Sequence, residues 1–542
     1  MSLAGVAGCG STVNPGAGPV DGGADGGAGP ADGAAVEAGV EDVGVDVPPM
    51  PVDIGPLGEG QQGERCESDN ECASGVCVTG GDFRRICSVR CAVDDTCFLI
   101  GGNYNCAVER PEGDASRARA VCAISNTPPA DAPAPCEADS ACTSNLCVDG
   151  HCSLICTDDS QCTAGLRCGA VAGLGGGVRA CRPTPISGVT VEDFALFQGD
   201  SRVDQGTAEL KLVAPSDTVS VTWITQDTAG SNLFAAVSRV TSPSNRALVD
   251  LRTFSYLNEQ PIRTLPARFQ VGVALLPSSN TLDVEPGLYR SQHILLNNQG
   301  SAVTTRGLRA IARVKRAPGG RVTPGWTLRV RFVFVGLSSI TAATAQTNAR
   351  LAAGLREMTR IFAQVGVNLQ VTNYDDISGP TAQRLAIIDS RAELQEAYTL
   401  TSPFSGDVLP IIMVRGISSS AGLENAIGIA GSIAGPPGIH GTVQSGVVVG
   451  WESTQGFGRD VLAITMAHEC GHFLGLWHTR ERLPACTSNT QMECSPFGAV
   501  DPISDTPTTA AAEANLMYYS ANGGTVVSPG QGNVLLRNPL VR

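Results

Sequence analysis

At 542 residues the chain is long enough for two or three ordinary domains, and its 42% hydrophobic content can fill their cores. The net charge of −15 is concentrated at the start, where the first 65 residues carry ten acids against Arg65 alone. The remainder has no basic stripe or Lys/Arg run and so lacks the electrostatic footprint of nucleic-acid binding, and no stretch approaches the roughly 18 consecutive apolar residues of a spanning helix. Twenty cysteines at clustered spacing fit an oxidising compartment, so the expected location is extracellular or at a bacterial cell surface.

Residues 1–65 read as a lipobox-like start and a disordered acidic linker. Val6-Ala7-Gly8-Cys9 matches a bacterial lipobox, whose cysteine is lipidated after signal cleavage, and this predicts an outer-membrane lipoprotein anchored at Cys9. A chance match in an Ala/Gly-rich stretch is the other reading, because no charged region and long apolar run precede the cysteine. From Gly10 to Arg65 the chain is Gly, Ala, Pro, Val and acid with no aromatic residue, which predicts a flexible tether.

Two disulfide-rich repeats follow, at 66–127 and 128–183. The first holds Cys66, Cys72, Cys77, Cys87, Cys91, Cys97, Cys106 and Cys122; the second holds Cys136, Cys142, Cys147, Cys152, Cys156, Cys162, Cys168 and Cys181. Steps of 6, 5, 10, 4, 6, 9, 16 and then 6, 5, 5, 4, 6, 6, 13 show one unit duplicated across a Pro/Ala linker at 128–135. Each unit is too small to be held by a core, so up to four disulfides must staple it. Spacing does not fix their pairing. Without CxxC knuckles no metal is expected here, and the repeats read as spacers or binding units.

Residues 184–318 alternate in strand fashion, with Val219, Val221 and Trp223 on one face and Phe269, Val271, Val273 and Leu275 on another. Turn signals at Ala214-Pro215-Ser216-Asp217 and Pro277-Ser278-Ser279-Asn280 separate the runs, and a β-sandwich is the simplest architecture. Residues 319–542 change grammar. Leu328, Val330, Phe332 and Phe334 make a strand, Leu351, Leu355, Met358, Phe362 and Val365 one helical face, Gly366 a left-handed cap, and Val367–Val371 a second strand. That βαβ opening predicts an α/β domain.

The chemistry lies in His468-Glu469-Cys470-Gly471-His472-Phe473-Leu474-Gly475-Leu476-Trp477-His478. Four residues apart on a helix, His468 and His472 project from one face and can share a zinc ion. Glu469 can lie beside the metal as general base, and Gly475 can take positive φ so that the chain returns His478 as third ligand. Three protein ligands leave one position open, the arrangement of a catalytic site. His151, His293 and His440 lack such spacing and read as surface or packing residues.

These residues match HExxHxxGxxH, and the sequence here resembles the metzincins. The resemblance implies a methionine turn beneath the zinc, with Met517 in Asn515-Leu516-Met517-Tyr518-Tyr519, and makes Tyr519 the tyrosine that stabilises the tetrahedral intermediate. Within the metzincins the chain is most similar to the pappalysin family, through Thr479 after the third histidine and Ser504-Asp505-Thr506-Pro507 before the methionine turn. That likeness covers roughly residues 325–542 and implies that Gly446-Val447-Val448-Val449 is the edge strand along which substrate pairs. It also implies structural Ca2+, for which no ligand is assigned. Cys470 occupies a variable position and Arg480 stands where the family often has Phe; Cys486 is expected to pair with Cys494, leaving Cys470 buried.

The sequence therefore predicts a secreted or surface-anchored zinc metalloendopeptidase with one catalytic Zn2+ and protein or peptide substrates. The alternative is a surface adhesin or ligand-binding protein whose protease region is vestigial or latent. No zinc-blocking cysteine stands in 182–320.

Overall fold

The computed structural model describes residues 58–542 apart from 80–84, 92–96, 98–103, 111–117, 125–135, 172–173, 175–177, 201–205, 231–232, 253–260, 305–306, 419–425, 456–459, 481–500 and 521–523. The expected lipobox, most of the tether, the linker between the repeats and the Cys486–Cys494 pair lie outside the described residues. The chain is multidomain and mostly sheet, and two compact units divide at Arg90 and Cys91. Among the described residues no helix is long and apolar enough to cross a membrane.

Each set of eight cysteines resolves into two units of four. Bonds run Cys66–Cys77 and Cys72–Cys87, then Cys91–Cys106 and Cys97–Cys122, then Cys136–Cys147 and Cys142–Cys152, then Cys156–Cys168 and Cys162–Cys181. First joins third and second joins fourth every time. The signal for this shorter repeat is Cys-x-x-Asp-x-x-Cys, present at Cys66, Cys91, Cys136 and Cys156. In three copies the aspartate carboxylate accepts from the third cysteine's backbone N–H: Asp69 from Cys77 at 2.8 Å, Asp139 from Cys147 at 2.6 Å and Asp159 from Cys168 at 2.8 Å. The motif thus sets a one-turn 3-10 helix and aims the strand that carries the bridge.

Residues 184–318 form two antiparallel sheets. One runs Leu210–Ala214, Gly287–Leu296, Phe234–Thr241, Ala247–Asp250; the other runs Val271–Leu276, Thr218–Asp227, Leu308–Arg316, Thr190–Gly199. Leu212, Val221, Trp223, Val237, Leu276, Tyr289 and Val314 fill the space between them. The expected faces differ in two places. A register shift between Thr218 and Ser220 turns Val219 out of this core and into the next one. Gln270, at φ 64°, breaks the run at 269–275, so that Phe269 pairs with Phe234 in one sheet while Val271, Val273 and Leu275 belong to the other.

Residues 319–542 sit in the same compact unit. Their five-stranded sheet has the order Val367–Ile377, Trp326–Val335, Leu409–Val414, Val447–Gly450, Gly428–Ala430, parallel except for the last strand. Helix α1 (Ala349–Ala363) is the right length to cross between the first two strands, is capped by the Asn348 side chain and ends before Gly366 at φ 75°. Helices α2 (Gly379–Leu385) and α3 (Arg391–Thr399) cover one face; α1, α4 (Leu462–Phe473) and α5 (Pro529–Arg537) cover the other. Val447–Gly450 is fully buried and flanked on both sides, so it is not the edge. The edge is Gly428–Ala430, whose three half-buried residues carry too little pattern to be read as a strand.

Lys315 ties the two regions together. It is fully buried, its ammonium donates to the carbonyls of Leu536, Asn538 and Val541 at the end of α5, and it lies 4.0 Å from the Trp326 ring centroid. Burial pushes its pKa well down, while three carbonyl dipoles and the ring face favour the charge. Lys315→Met keeps the volume but removes the ammonium donor from the Leu536 and Val541 carbonyls, while the Asn538 carbonyl keeps the Val541 N–H; we expect a loss of about 2–4 kcal/mol, read as a lower urea midpoint with an unchanged m-value.

Candidate metal centre

Helix α4 starts where Asp460 accepts from the N–H of Leu462 at 3.0 Å, and Arg350 of α1 pairs with that carboxylate at 2.6 Å. The helix ends two residues before Gly475, which at φ 113° turns the chain back. The three histidines converge as a result: Nε2 of His478 lies 3.2 Å from Nε2 of His468 and 3.1 Å from Nε2 of His472. Nδ1 of His468 donates to the Leu516 carbonyl at 2.8 Å and Nδ1 of His472 to the Leu476 carbonyl at 2.7 Å. With their protons committed outward, both imidazoles turn Nε2 lone pairs inward. A tetrahedral zinc with Zn–N of about 2.0–2.1 Å would separate its nitrogens by about 3.3–3.4 Å, close to the observed spacing. The group can hold a metal.

Electrostatics agree. Burial first, then the neighbouring His478, pushes the pKa of His468 down to about 3; His472 is driven well down by burial and by both partner rings. Both are neutral at pH 7, the form that ligates. Glu469 is 8% exposed, its carboxylate accepts from the Ala430 backbone, and burial pushes it up to about 8. Cys470 points the other way into the core as a free, buried thiol, with its pKa raised by burial.

Met517 is fully buried, with Sδ against Gly471 of α4, and its carbonyl accepts from Thr479 N–H at 2.9 Å, immediately after His478. Its own N–H donates to Asn515 Oδ1 at 2.8 Å. Asn515 and Gln531 exchange two amide hydrogen bonds, at 2.9 and 3.0 Å, so the turn that carries Met517 is fastened to the first turn of α5. Tyr519 is half-buried and packs on Tyr518 with ring centroids 4.5 Å apart. The hydroxyl of Tyr518, bonded to Tyr519, is pushed up to about 12.

Four contributors are not fixed positions of the motif. A Cβ at Gly471 would fall 2.6 Å from Met517 Sδ, and one at Gly428 would fall 2.7 Å from Glu469 Cγ, so both glycines let the floor and the edge strand approach α4. A glycine inside a helical pattern was the available signal for Gly471. The Asn515–Gln531 pair had only the Ser528-to-Gln531 capping spacing to suggest it. Asp505 lies on that same helix start, accepting from Ser528 Oγ at 2.8 Å and Gly530 N–H at 2.7 Å.

For calcium the fit is poor among the described residues. Asp501 has a buried carboxylate oxygen, Oδ2, with no hydrogen-bond partner, but among the described residues it joins no group of three or more acidic, His or Cys side chains that could hold an ion. Of the other histidines, His293 is buried in the sandwich against Thr225 and Ser291, and His440 bonds the Gly406 carbonyl.

No known family profile matches the sequence, and no curated protein matches it either. Solved structures similar to the chain include metalloproteinase-II from Bacteroides fragilis, at 14% identity and a TM-score of 0.22 over 42% of this chain; the match spans 62% of that protein's length. A family two carbohydrate esterase from Cellvibrio japonicus matches at 12% identity and a TM-score of 0.11, over 42% of this chain and 67% of its own.

Two outcomes are expected. Gly471→Ala should cost about 1–3 kcal/mol and loosen metal binding, and pairing it with Met517→Ala should recover part of both, read by thermal melts and chelator competition. The second concerns pH. Burial raises the Asp501 carboxyl from the ordinary carboxylate range to about 7, so the folded state holds a proton that the unfolded chain releases. Stability from this group is therefore full below the unfolded pKa and falls as pH rises through roughly 4 to 7, and Asp501→Asn should flatten that fall in urea midpoints taken across the window.

Proposed function

We propose that the chain is a secreted or surface-anchored zinc metalloendopeptidase of the metzincin type, with His468, His472 and His478 holding one catalytic zinc. The observation that carries this reading is the convergence of three inward-facing Nε2 atoms, with the outer nitrogens of His468 and His472 bonded to carbonyls, directly beside a buried glutamate. When bound, zinc supplies a Lewis acid for a carbonyl oxygen and lowers the pKa of water to about 7.

Glu469 takes a proton from the attacking water and returns it to the leaving amine nitrogen. A carboxyl raised by burial toward neutrality suits both transfers, and a cation among the histidines draws it back toward the ionised form that accepts first. Tyr519 donates to the oxyanion that develops on the scissile carbonyl. The substrate is an extended peptide pairing with Gly428–Ala430, the strand edge nearest Glu469, where Gly428 leaves room for the carboxylate. Anchorage through Cys9, with the cysteine units as spacers between membrane and enzyme, belongs to the same proposal. A vestigial site would not have kept Glu469 and all three histidines.

The test uses the full chain. Wild type is expected to carry one zinc and to cleave casein or gelatin, with cleavage abolished by chelator. Glu469→Ala should keep the zinc and lose about 10²–10⁴-fold in turnover. Undiminished proteolysis by that variant sinks the assignment.

A further inference from the structure

Residues 184–318 touch three segments that flank the three histidines: residues 475–477, the loop 433–444 and Ser504. Between the second and third histidines, Trp477 donates from Nε1 to the Arg263 carbonyl at 2.8 Å, and a Cβ on Gly475 would lie 3.0 Å from Leu275 Cδ2. The loop after the edge strand is held at Ile433, whose carbonyl accepts from Leu265 N–H at 2.8 Å, at Pro437, whose carbonyl accepts from Arg313 at 2.9 Å, and at Gln444, which donates to Phe269 O. Ser504, before the methionine turn, exchanges two hydrogen bonds with Asn280. Ile224, Val271, Val273, Leu275 and Ile311 close over Ala434, so the outer face of one sandwich sheet is covered by the loop from the catalytic half.

A segment destined for removal would leave that apolar face uncovered, take from Lys315 its three carbonyls and from Arg313 both Asp407 and the Pro437 carbonyl, and strip the loop 431–445 of its hydrogen bonds to Leu265, Phe269 and Arg313. We infer that residues 184–318 are a permanent buttress of the metal centre and that Trp477 is a positioning residue through which they set His478. This rests on the reading of the three histidines as zinc ligands. Its consequence is that latency does not reside in the sandwich, and that the smallest active unit contains it.

Two arms test the inference on the full chain. In the first, Trp477→Phe removes the indole donor and keeps an apolar ring. We expect zinc affinity to fall about 10–100-fold by chelator competition, with an altered visible spectrum of the cobalt-substituted protein. Trp223→Phe, which loosens the sandwich core without touching 475–478, controls for general destabilisation and should leave both readouts unchanged. In the second arm a protease recognition sequence is inserted in the exposed turn at Pro318–Gly320 and cut. The two parts should co-elute with zinc retained, and zinc lost on separation would equally support the buttress. Free 319–542 that keeps its zinc and cleaves gelatin, or a Trp477→Phe protein that binds zinc like wild type, overturns it. If no form cleaves any protein while the zinc and cobalt readouts behave as stated, the peptidase reading fails and the buttress stands.

Discussion

Imidazole lone pairs facing one another repel unless a cation lies between them, and the arrangement of the C-terminal half follows from holding them there. His478 Nε2 sits within 3.2 Å of both partners in surroundings that have driven His468 and His472 to the neutral form. Such a cluster gains nothing from its own contacts, so its geometry must be imposed from outside. Two backbone carbonyls impose the tautomers of His468 and His472, and the Asn515–Gln531 amide pair fixes the floor. Glycines at 428, 471 and 475 remove the side chains that would keep the pieces apart or the chain from turning.

The order of dependence runs through α5. Its capping residues Ser528 and Gln531 do double duty: Ser528 meets Asp505, and Gln531 meets Asn515. Its far end meets Lys315 of the sandwich. A short nine-residue helix is marginal alone, so here its stability comes from these tertiary contacts, and it passes their constraint to the methionine turn.

What the sequence made legible was local. Histidines four residues apart, a glycine that turns the chain, and the periodicity of each strand and helix are all patterns within a single element or turn. Sheet order is not. Val447-Val448-Val449 reads equally well as an edge or an interior strand, because burial on both faces and on both flanks gives the same apolar run. The true edge, Gly428-Ile429-Ala430, is too short to announce itself, and its place over Glu469 depends on a chain reversal through residues 431–446. The switch at Gln270 was hidden because a non-glycine at positive φ leaves no mark in the pattern. Among the cysteines the shorter period was legible in the aspartate three residues after each unit's first cysteine, masked by unequal steps later in each unit.

The seam between the sandwich and residues 319–542 shows why buried cations are used where apolar packing alone would also have held. An apolar seam such as Leu275 against Ala434 tolerates small slips at little cost, since dispersion contacts reform in a new register. Arg313 does not: held by Asp193 of its own sheet, it donates across the seam to Asp407 and the Pro437 carbonyl, and a slip would pull its guanidinium from the Asp407 carboxylate, each side chain one-tenth exposed. Lys315, wholly enclosed, is stricter still. A ligand set needs its side chains held to within about 0.5 Å. Hydrogen-bonded cations fail over a similar distance, so a seam built on them carries to His478 and Met517 the tolerance that a metal centre requires, which hydrophobic burial could not have enforced from the same positions.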